Sequence, residues 1–245
     1  MSVRTLLLVA LALIGVAFAV QWVRSMRTAG RALPKPVEIV IGFLTNFFDT
    51  LGIGSFAPTV SAFKFLRLVP DQKIPGTLNV GHALPTVVEA LIFISIVSVA
   101  PLTLFALIAA AIAGAWLGAG VVAKWSRRNV QIGMGSALIV AATLFIMTNL
   151  KLFPGGGTAL ELSGVTLLIG VAVNFALGAF MTVGVGLYAP CMISVSLLGM
   201  NPLAAFPIMM GSCAFLMPIA SLRFIRYDAY SLGAALGLTI GGIPG

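Results

Sequence analysis

A short segment that contains two glycines and ends in proline occurs twice in this chain, and it restricts how the surrounding apolar segments can fold. Residues 51 to 58 read Leu-Gly-Ile-Gly-Ser-Phe-Ala-Pro, and residues 183 to 190 read Val-Gly-Val-Gly-Leu-Tyr-Ala-Pro. Glycine weakens a helix and proline removes a backbone donor, so neither segment continues a regular helix. In lipid, the backbone groups freed at such a break must be satisfied by protein or must line a cavity. The sequence therefore predicts two broken helices, unless both breaks are ordinary kinks used for packing.

The match between the two segments extends beyond the glycines. At a constant offset of 132 positions identical residues recur without a gap, and Phe56 aligns with Tyr188 as an aromatic pair. The identical pairs are Thr50 and Thr182, Gly52 and Gly184, Gly54 and Gly186, Ala57 and Ala189, Pro58 and Pro190, Pro70 and Pro202, and Pro75 and Pro207. We expect two internal repeats, over residues 37 to 151 and 162 to 245, joined by an outer linker at 152 to 161.

The composition places both repeats in a membrane. Of the 245 residues, 60% are hydrophobic and only 8% are charged, and the mean hydropathy is +1.14. The apolar runs approach or exceed the ~20 residues that cross a bilayer as a helix, whereas a membrane barrel shows alternating segments of about 10 residues. We predict an all-α integral membrane protein that crosses the lipid bilayer of the inner (plasma) membrane several times.

The net charge of +8 comes from basic residues in short clusters between the apolar runs. Such clusters are typical of the cytoplasmic ends of membrane helices, so we expect no nucleic acid as a partner. One arginine precedes the first run, Thr5 to Val23, and four basic residues follow it: Arg24, Arg27, Arg31 and Lys35. Residues 1 to 36 are therefore predicted to form a retained transmembrane helix and a cytoplasmic linker, although Ala17-Phe18-Ala19 also fits a signal-peptidase site.

The first repeat is predicted to open with a hairpin. Val37 to Leu51 and Phe56 to Val69 are each too short to span the bilayer comfortably, so we expect the chain to enter, break and return to the cytoplasmic side. Three crossings then follow, at Gly76 to Val99, Pro101 to Ala123 and Val130 to Leu150.

The second repeat is predicted to have the opposite orientation. Leu162 to Leu198 contains the second break and starts outside, and Ala204 to Leu222 then crosses inward to Arg223 and Arg226. The last run, from Tyr230 to the final residue, has about 16 residues and is short for a crossing. The second repeat is therefore expected to be incomplete at its C-terminus.

A helix that restarts after a break presents unsatisfied N–H groups and about half a positive charge, which favours an anion. Two inverted breaks are thus predicted to surround a small anionic substrate, although a neutral substrate fits the same features. The predicted substrate-binding residues are Thr45, Asn46, Thr50, Gly52, Gly54, Ser55, Asn174, Thr182, Gly184, Gly186, Tyr188 and Cys191. For the threonines and asparagines, hydrogen bonding between helices is an equally open interpretation.

Asp49 and Glu89 are acidic residues within the apolar runs, and an acid inside a membrane is costly enough to suggest a function. Glu89 lies seven residues after His82, the only histidine, so both fall on one helical face. We hypothesise that Asp49, His82 and Glu89 take up or release a coupling proton. The alternative is that each side chain is simply hydrogen-bonded within the protein.

The remaining chemistry-bearing residues are few. Cys191 and Cys213 lie inside apolar segments, and their placement indicates neither a disulfide framework nor a metal site. No set of residues is typical of a catalytic centre or of a phosphate-binding loop. We therefore expect no enzymatic activity, no cofactor and no metal, while a homo-oligomer is compatible with the sequence.

At the glycine breaks, Gly52-Ile-Gly54-Ser-Phe-Ala-Pro58 and Gly184-Val-Gly186-Leu-Tyr-Ala-Pro190, the chain resembles the TauE/SafE family of membrane permeases. Members of that family carry a Gly-x-Gly-Gly-type break followed by proline near the start of each half. The resemblance runs from about Glu38 to the end of the chain, and it implies an exporter of sulfite or small organosulfur anions. Ser55 and Leu187 stand where a further glycine is usual, which puts the identity of the substrate in question.

These features together favour a secondary transporter that exports small, sulfur-containing anions such as sulfite or sulfonates by alternating access, with protons as a candidate coupling ion. A channel or passive facilitator that uses the same breaks is a second interpretation. A membrane assembly subunit without transport of its own is a third. The sequence leaves the substrate, the direction and the coupling ion open.

Overall fold

A computed structural model describes residues 3–29, 32–152, 156–184 and 186–245 of the chain. Arg31, residues 153 to 155 of the expected linker and Val185 in the second break lie outside the described residues. Within the described ranges the chain is helical, as the sequence predicts. The α-helices are α1 (Val3–Ala29), α2 (Pro36–Thr50), α3 (Phe56–Phe65), α4 (Ile74–Ile96), α5 (Pro101–Val122), α6 (Arg127–Asn149), α7 (Gly164–Met181), α8 (Tyr188–Leu197), α9 (Ala205–Arg226) and α10 (Leu232–Gly242).

Five of these segments are long and apolar enough to cross a membrane. They are Arg4–Arg27, Asp71–Ile96, Pro101–Val122, Gly164–Met181 and Pro202–Arg226. This confirms the prediction of a multi-pass helical membrane protein. The segment Val130 to Leu150, expected to cross, forms a helix as α6, and its crossing stays a prediction.

α3 is shorter than the sequence suggests. The apolar run continues to Val69, but the helix ends at Phe65. Arg67 takes a φ of 52°, a left-handed conformation that an α-helix does not contain.

Ion pairs bring several basic residues together at one end of the helix bundle, here called the basic end. Lys64 at the end of α3 lies 3.0 Å from Asp71, just before α4, and Arg127 at the start of α6 lies 3.5 Å from the same carboxylate. Lys73 lies 3.1 Å from Asp228, which follows α9. Charged side chains favour water over hydrocarbon, so this end of the bundle lies at a membrane surface.

The segment α2–α3 enters the bundle from the basic end and returns to it. α10 starts just after Asp228 and runs alongside α2 in the same direction, with Gly233 next to Leu33 and Gly241 next to Phe43. α2 therefore also starts at the basic end, where α3 finishes. Between the two helices the chain turns at Gly52 and Gly54, whose φ angles of 82° and 90° glycine adopts readily.

The segment α7–α8 enters from the opposite end. The Leu162 amide donates a hydrogen bond to the Thr103 hydroxyl, 2.9 Å away at the start of α5, so α7 begins where α5 begins. After α8, the Asn201 amide donates to the carbonyl of Ala159 over 2.8 Å, which returns the chain to that end. α9 then crosses the bundle and delivers Arg226 to the basic end.

α4 and α9 form the centre of the bundle, with 61% and 78% of their most apolar windows buried. Around them, α5 packs against α7 and α10 packs against α2. Glycine makes these contacts close: a side chain at Gly114 or Gly178 meets the backbone carbonyl of Phe175 or Ala111 respectively. Such backbone contact between helices is a common source of stability in membrane proteins.

We predict that Gly178→Ala destabilises the protein by about 1–3 kcal/mol, because the added methyl group meets the Ala111 backbone, which cannot move aside. Thermal unfolding in detergent micelles measures the effect. Gly135→Ala on α6 is the matched control, since nothing lies within 4 Å of the added carbon there. Equal melting temperatures for the two variants would show that the α5–α7 contact tolerates a wider separation.

Candidate functional site

The two chain breaks meet at one small cavity in the centre of the bundle. The cavity has a volume of about 10 Å³, about enough for one water molecule. Its lining residues come from both breaks and from α4, α7 and α9: Asp49, Gly54, Ser55, Phe56, Thr86, Met181, Gly186, Leu187, Tyr188, Cys213 and Met217. Segments that enter from opposite ends of the protein thus share one site.

At the first break, the N-terminus of α3 is capped by a carboxylate of the chain itself. Asp49 Oδ1 accepts a hydrogen bond from the Ser55 amide at 2.7 Å, and Oδ2 accepts one from the Ser55 hydroxyl at 3.1 Å. A negative charge is favourable here because the first amides of a helix are unpaired and carry partial positive charge. An anion from solution therefore finds fewer free donors at α3 than the sequence alone suggests.

At the second break, the N-terminus of α8 has no such cap. Met181 and Leu187 stand where the first break has Asp49 and Ser55, and α8 receives no hydrogen bond from a capping side chain. No atom lies within 4 Å of the position that a side chain on Gly186 takes up. Among the described contacts, no carboxylate accepts a hydrogen bond from the backbone amides at the start of α8.

A cluster of acidic groups lies against this cavity. The Tyr188 hydroxyl donates to Glu89 Oε2 over 3.3 Å, and the Asp49 carboxyl lies near both side chains. Asp49 and Glu89 are only 2% and 6% exposed, and no lysine or arginine is among the described lining residues. Two adjacent buried carboxyl groups repel each other when both are charged. This arrangement is suited to hold and release a proton.

His82 lies in a fully paired hydrogen-bond network that reaches Ser55 through Thr59. The Thr59 hydroxyl donates to the Ser55 carbonyl at 2.7 Å, so His82 Nε2 donates to Thr59 Oγ1 at 3.0 Å. Asn46 Nδ2 donates to the Gly42 carbonyl at 2.7 Å and to His82 Nδ1 at 3.0 Å. The network thus assigns the ring proton to Nε2. His82 joins α2, α3 and α4, and it is absent from the described lining of the cavity.

The predicted site residues divide into two groups. Those at the cavity are Asp49, Gly54, Ser55, Gly186 and Tyr188, with Glu89 bonded to Tyr188. Those outside its described lining are Thr45, Asn46, Thr50, Gly52, His82, Asn174, Thr182, Gly184 and Cys191. Of these, Thr45, Thr50 and Thr182 donate to carbonyls of their own helices, while the Asn174 amide group donates to the Leu107 carbonyl of α5 over 3.0 Å.

Sequence reasoning did not place Thr86, Cys213 or Met217 at the site. Thr86 had a local signal, because it lies between His82 and Glu89 at helical spacing on α4. Cys213 and Met217 are one helical turn apart on α9 and belong to an otherwise apolar stretch. The Cys213 sulfur lies 3.5 Å from that of Met181, a contact that depends on how α7 and α9 pack. Among the described residues, no group of three or more His, Cys, Asp or Glu side chains is placed to hold a metal ion.

We predict that Asp49→Ala is less stable than Asp49→Asn by about 1 kcal/mol, because asparagine keeps an acceptor for the Ser55 amide and alanine does not. Thermal unfolding of both variants in the same detergent measures the difference. Ser55→Ala is the control, since it removes the hydroxyl bond but leaves the amide bond in place. An alanine variant as stable as the asparagine variant contradicts the capping role.

Comparison of this chain with family models, with curated proteins and with solved structures gives no match. The resemblance at the glycine breaks therefore stays a prediction from the residues themselves.

Proposed function

We propose that the protein is a secondary transporter that carries a small anion by alternating access around the central cavity. One observation carries the proposal: two broken helical segments that enter from opposite ends line one cavity. Transporters of several folds bind substrate at such paired helix breaks near the membrane midplane. The resemblance at the breaks suggests a sulfur-containing anion, such as sulfite or a sulfonate, and export as the direction.

The arrangement of the helices supports two inverted repeats. α3 spans Phe56–Phe65 and α8 spans Tyr188–Leu197, so both ends of the two helices are separated by the same 132 positions as the matched residues. The pairing of α5 with α7 corresponds under this offset to the pairing of α10 with α2. Each repeat thus lends its broken segment to the other. Rocking one set of helices against the other opens the cavity to alternate ends.

The start of α8 is the position we assign to the anion. Its amides lie beside the cavity at Gly186, Leu187 and Tyr188, and no side chain caps them. A cavity with room for one water is too small for a sulfur oxyanion, so the two broken segments must separate for the substrate to enter. The glycines at the breaks permit that motion, because their backbone tolerates conformations that other residues avoid.

The acidic cluster links anion binding to protonation. A charged Asp49 repels an anion held at α8, and a proton shared by Asp49 and Glu89 removes that repulsion. Tyr188 belongs to both features, since it starts α8 and donates to Glu89. Proton movement therefore accompanies anion movement. His82, with both ring nitrogens paired, has a supporting role in this scheme.

A binding experiment tests the anion position. We expect at least one of sulfite, sulfate, thiosulfate, sulfoacetate or taurine to raise the melting temperature of the purified protein in detergent. Met181→Asp places at the second break the carboxylate that Asp49 supplies at the first, and it is expected to abolish the shift. Met181→Asn is the matched neutral control and is expected to retain it. If Met181→Asp shows the same rise in melting temperature, the anion does not bind at the start of α8. If no anion raises the melting temperature of the unmodified protein, the proposal is wrong.

A transport experiment tests the coupling. In proteoliposomes, a pH gradient is expected to drive uptake or efflux of the bound anion, and Asp49→Asn or Glu89→Gln is expected to abolish the gradient-driven part. Glu161→Gln is the control, because Glu161 is exposed and lies away from the cavity. Flux that ignores the gradient contradicts proton coupling and favours a passive facilitator.

A further inference from the structure

A second cavity lies where the C-terminal parts of α1, α5 and α9 meet at the basic end. The space open to the centre of a water-sized sphere is about 360 Å³, far more than in the central cavity. Its lining residues are Gln21 on α1, Trp116 on α5, and Leu222, Arg223, Ile225 and Arg226 on α9. The walls are therefore apolar and cationic, with one amide.

Arg223 is held in a defined position in this cavity. Its guanidinium carbon lies 3.9 Å from the centroid of the Trp116 ring, a close cation–π contact. Gly120, which lies on α5 with Trp116, leaves room for the guanidinium. A Cβ atom added at Gly120 would lie 3.3 Å from one terminal nitrogen of Arg223. Stacking on an aromatic ring orients the planar donors of arginine and leaves them free to bind an acceptor.

The two arginines of this cavity lack a carboxylate partner. The ion pairs of the described residues use Lys64, Lys73 and Arg127 and include neither Arg223 nor Arg226. Arg223 Nε is buried and has no hydrogen-bond partner in the described part of the chain. A buried donor without an acceptor is costly, while the terminal nitrogens of the same guanidinium belong to a side chain that lines the cavity.

Two general effects place basic residues at such a position without any ligand. Cations are favourable at helix C-termini and at the cytoplasmic ends of membrane helices. Neither effect requires a cavity or a guanidinium stacked on an aromatic ring inside it. These two features, with the absence of a carboxylate partner among the described residues, point to a bound anion.

We propose that this cavity binds a phosphate group, and its position identifies the phosphate as that of an anionic phospholipid. Arginine matches the geometry of phosphate oxygens through paired hydrogen bonds. Basic pockets between transmembrane helices near the membrane surface bind lipid headgroups in this way, and tryptophan is common at the same depth. Trp116 is 39% exposed, so its ring also offers a surface to the lipid chains. The site is distinct from the central cavity and does not rest on the transport proposal.

The test uses the full chain in a neutral detergent, with short-chain phosphatidylglycerol, phosphatidylcholine and inorganic phosphate as separate probes. We expect phosphatidylglycerol to bind and to raise the melting temperature more than phosphatidylcholine does. The double substitution Arg223→Gln and Arg226→Gln is expected to weaken phosphatidylglycerol binding about thirtyfold, on the basis of the usual contribution of each arginine near a membrane surface. Arg128→Gln, which removes one positive charge on α6 outside the cavity, is the control for a general loss of charge and is expected to leave binding unchanged.

The outcomes separate the possible sources of the phosphate. Competition by inorganic phosphate at similar concentration supports the phosphate site and identifies a free ion as its ligand in place of a lipid. Equal binding of both lipids, or undiminished phosphatidylglycerol binding in the double variant, overturns the proposal. Should the double variant fail to fold, Arg226→Gln alone changes an exposed side chain and is expected to weaken binding about fivefold. No change in that variant equally overturns the proposal.

Discussion

The hydrogen bonds from Ser55 to Asp49 satisfy a constraint on which the centre of this protein depends. A chain that breaks its helix inside an apolar bundle frees backbone donors, and lipid offers no acceptor for them. Asp49, near the end of α2, supplies that acceptor. A side chain of one helix thus caps the N-terminus of the next helix, α3. Because that carboxylate is buried, its negative charge must be stabilised by neighbouring hydrogen-bond donors or neutralised by a proton. Glu89 and Tyr188 come from the two elements that close around it.

The second break meets the same constraint differently, and the difference gives the site its polarity. Met181 and Leu187 offer no cap, so the amides at the start of α8 lie beside the cavity with their capacity to bind unused. The site is therefore asymmetric, because Met181 and Leu187 stand at the second break where Asp49 and Ser55 stand at the first.

The two cavities contain side chains of opposite charge type, acidic in the central cavity and basic in the cavity at the basic end. Buried acids lie at the centre, and two arginines outside the ion pairs of the described residues lie at one end. The ion pairs of the basic end join the ends of α3, α4, α6 and α9. These contacts hold the outer ends of the helices while the glycine turns at the centre keep backbone freedom.

The amino-acid sequence by itself determined the helical membrane class, the positions of both breaks and the burial of Asp49 and Glu89. These properties depend on neighbouring residues: apolar run length, glycine and proline in a helix, and helical spacing. It also indicated Gly54, Ser55, Gly186 and Tyr188, which line the cavity, because they belong to the breaks themselves. Only the tertiary structure decided that Asp49 caps α3, that His82 lies outside the described lining of the cavity, and that Met181, Cys213 and Met217 line it together with Asp49. Arg223 likewise meets Trp116 only when α5 packs on α9. Such contacts join residues far apart in the chain, and which helix faces meet is decided by close packing, which local sequence patterns do not specify.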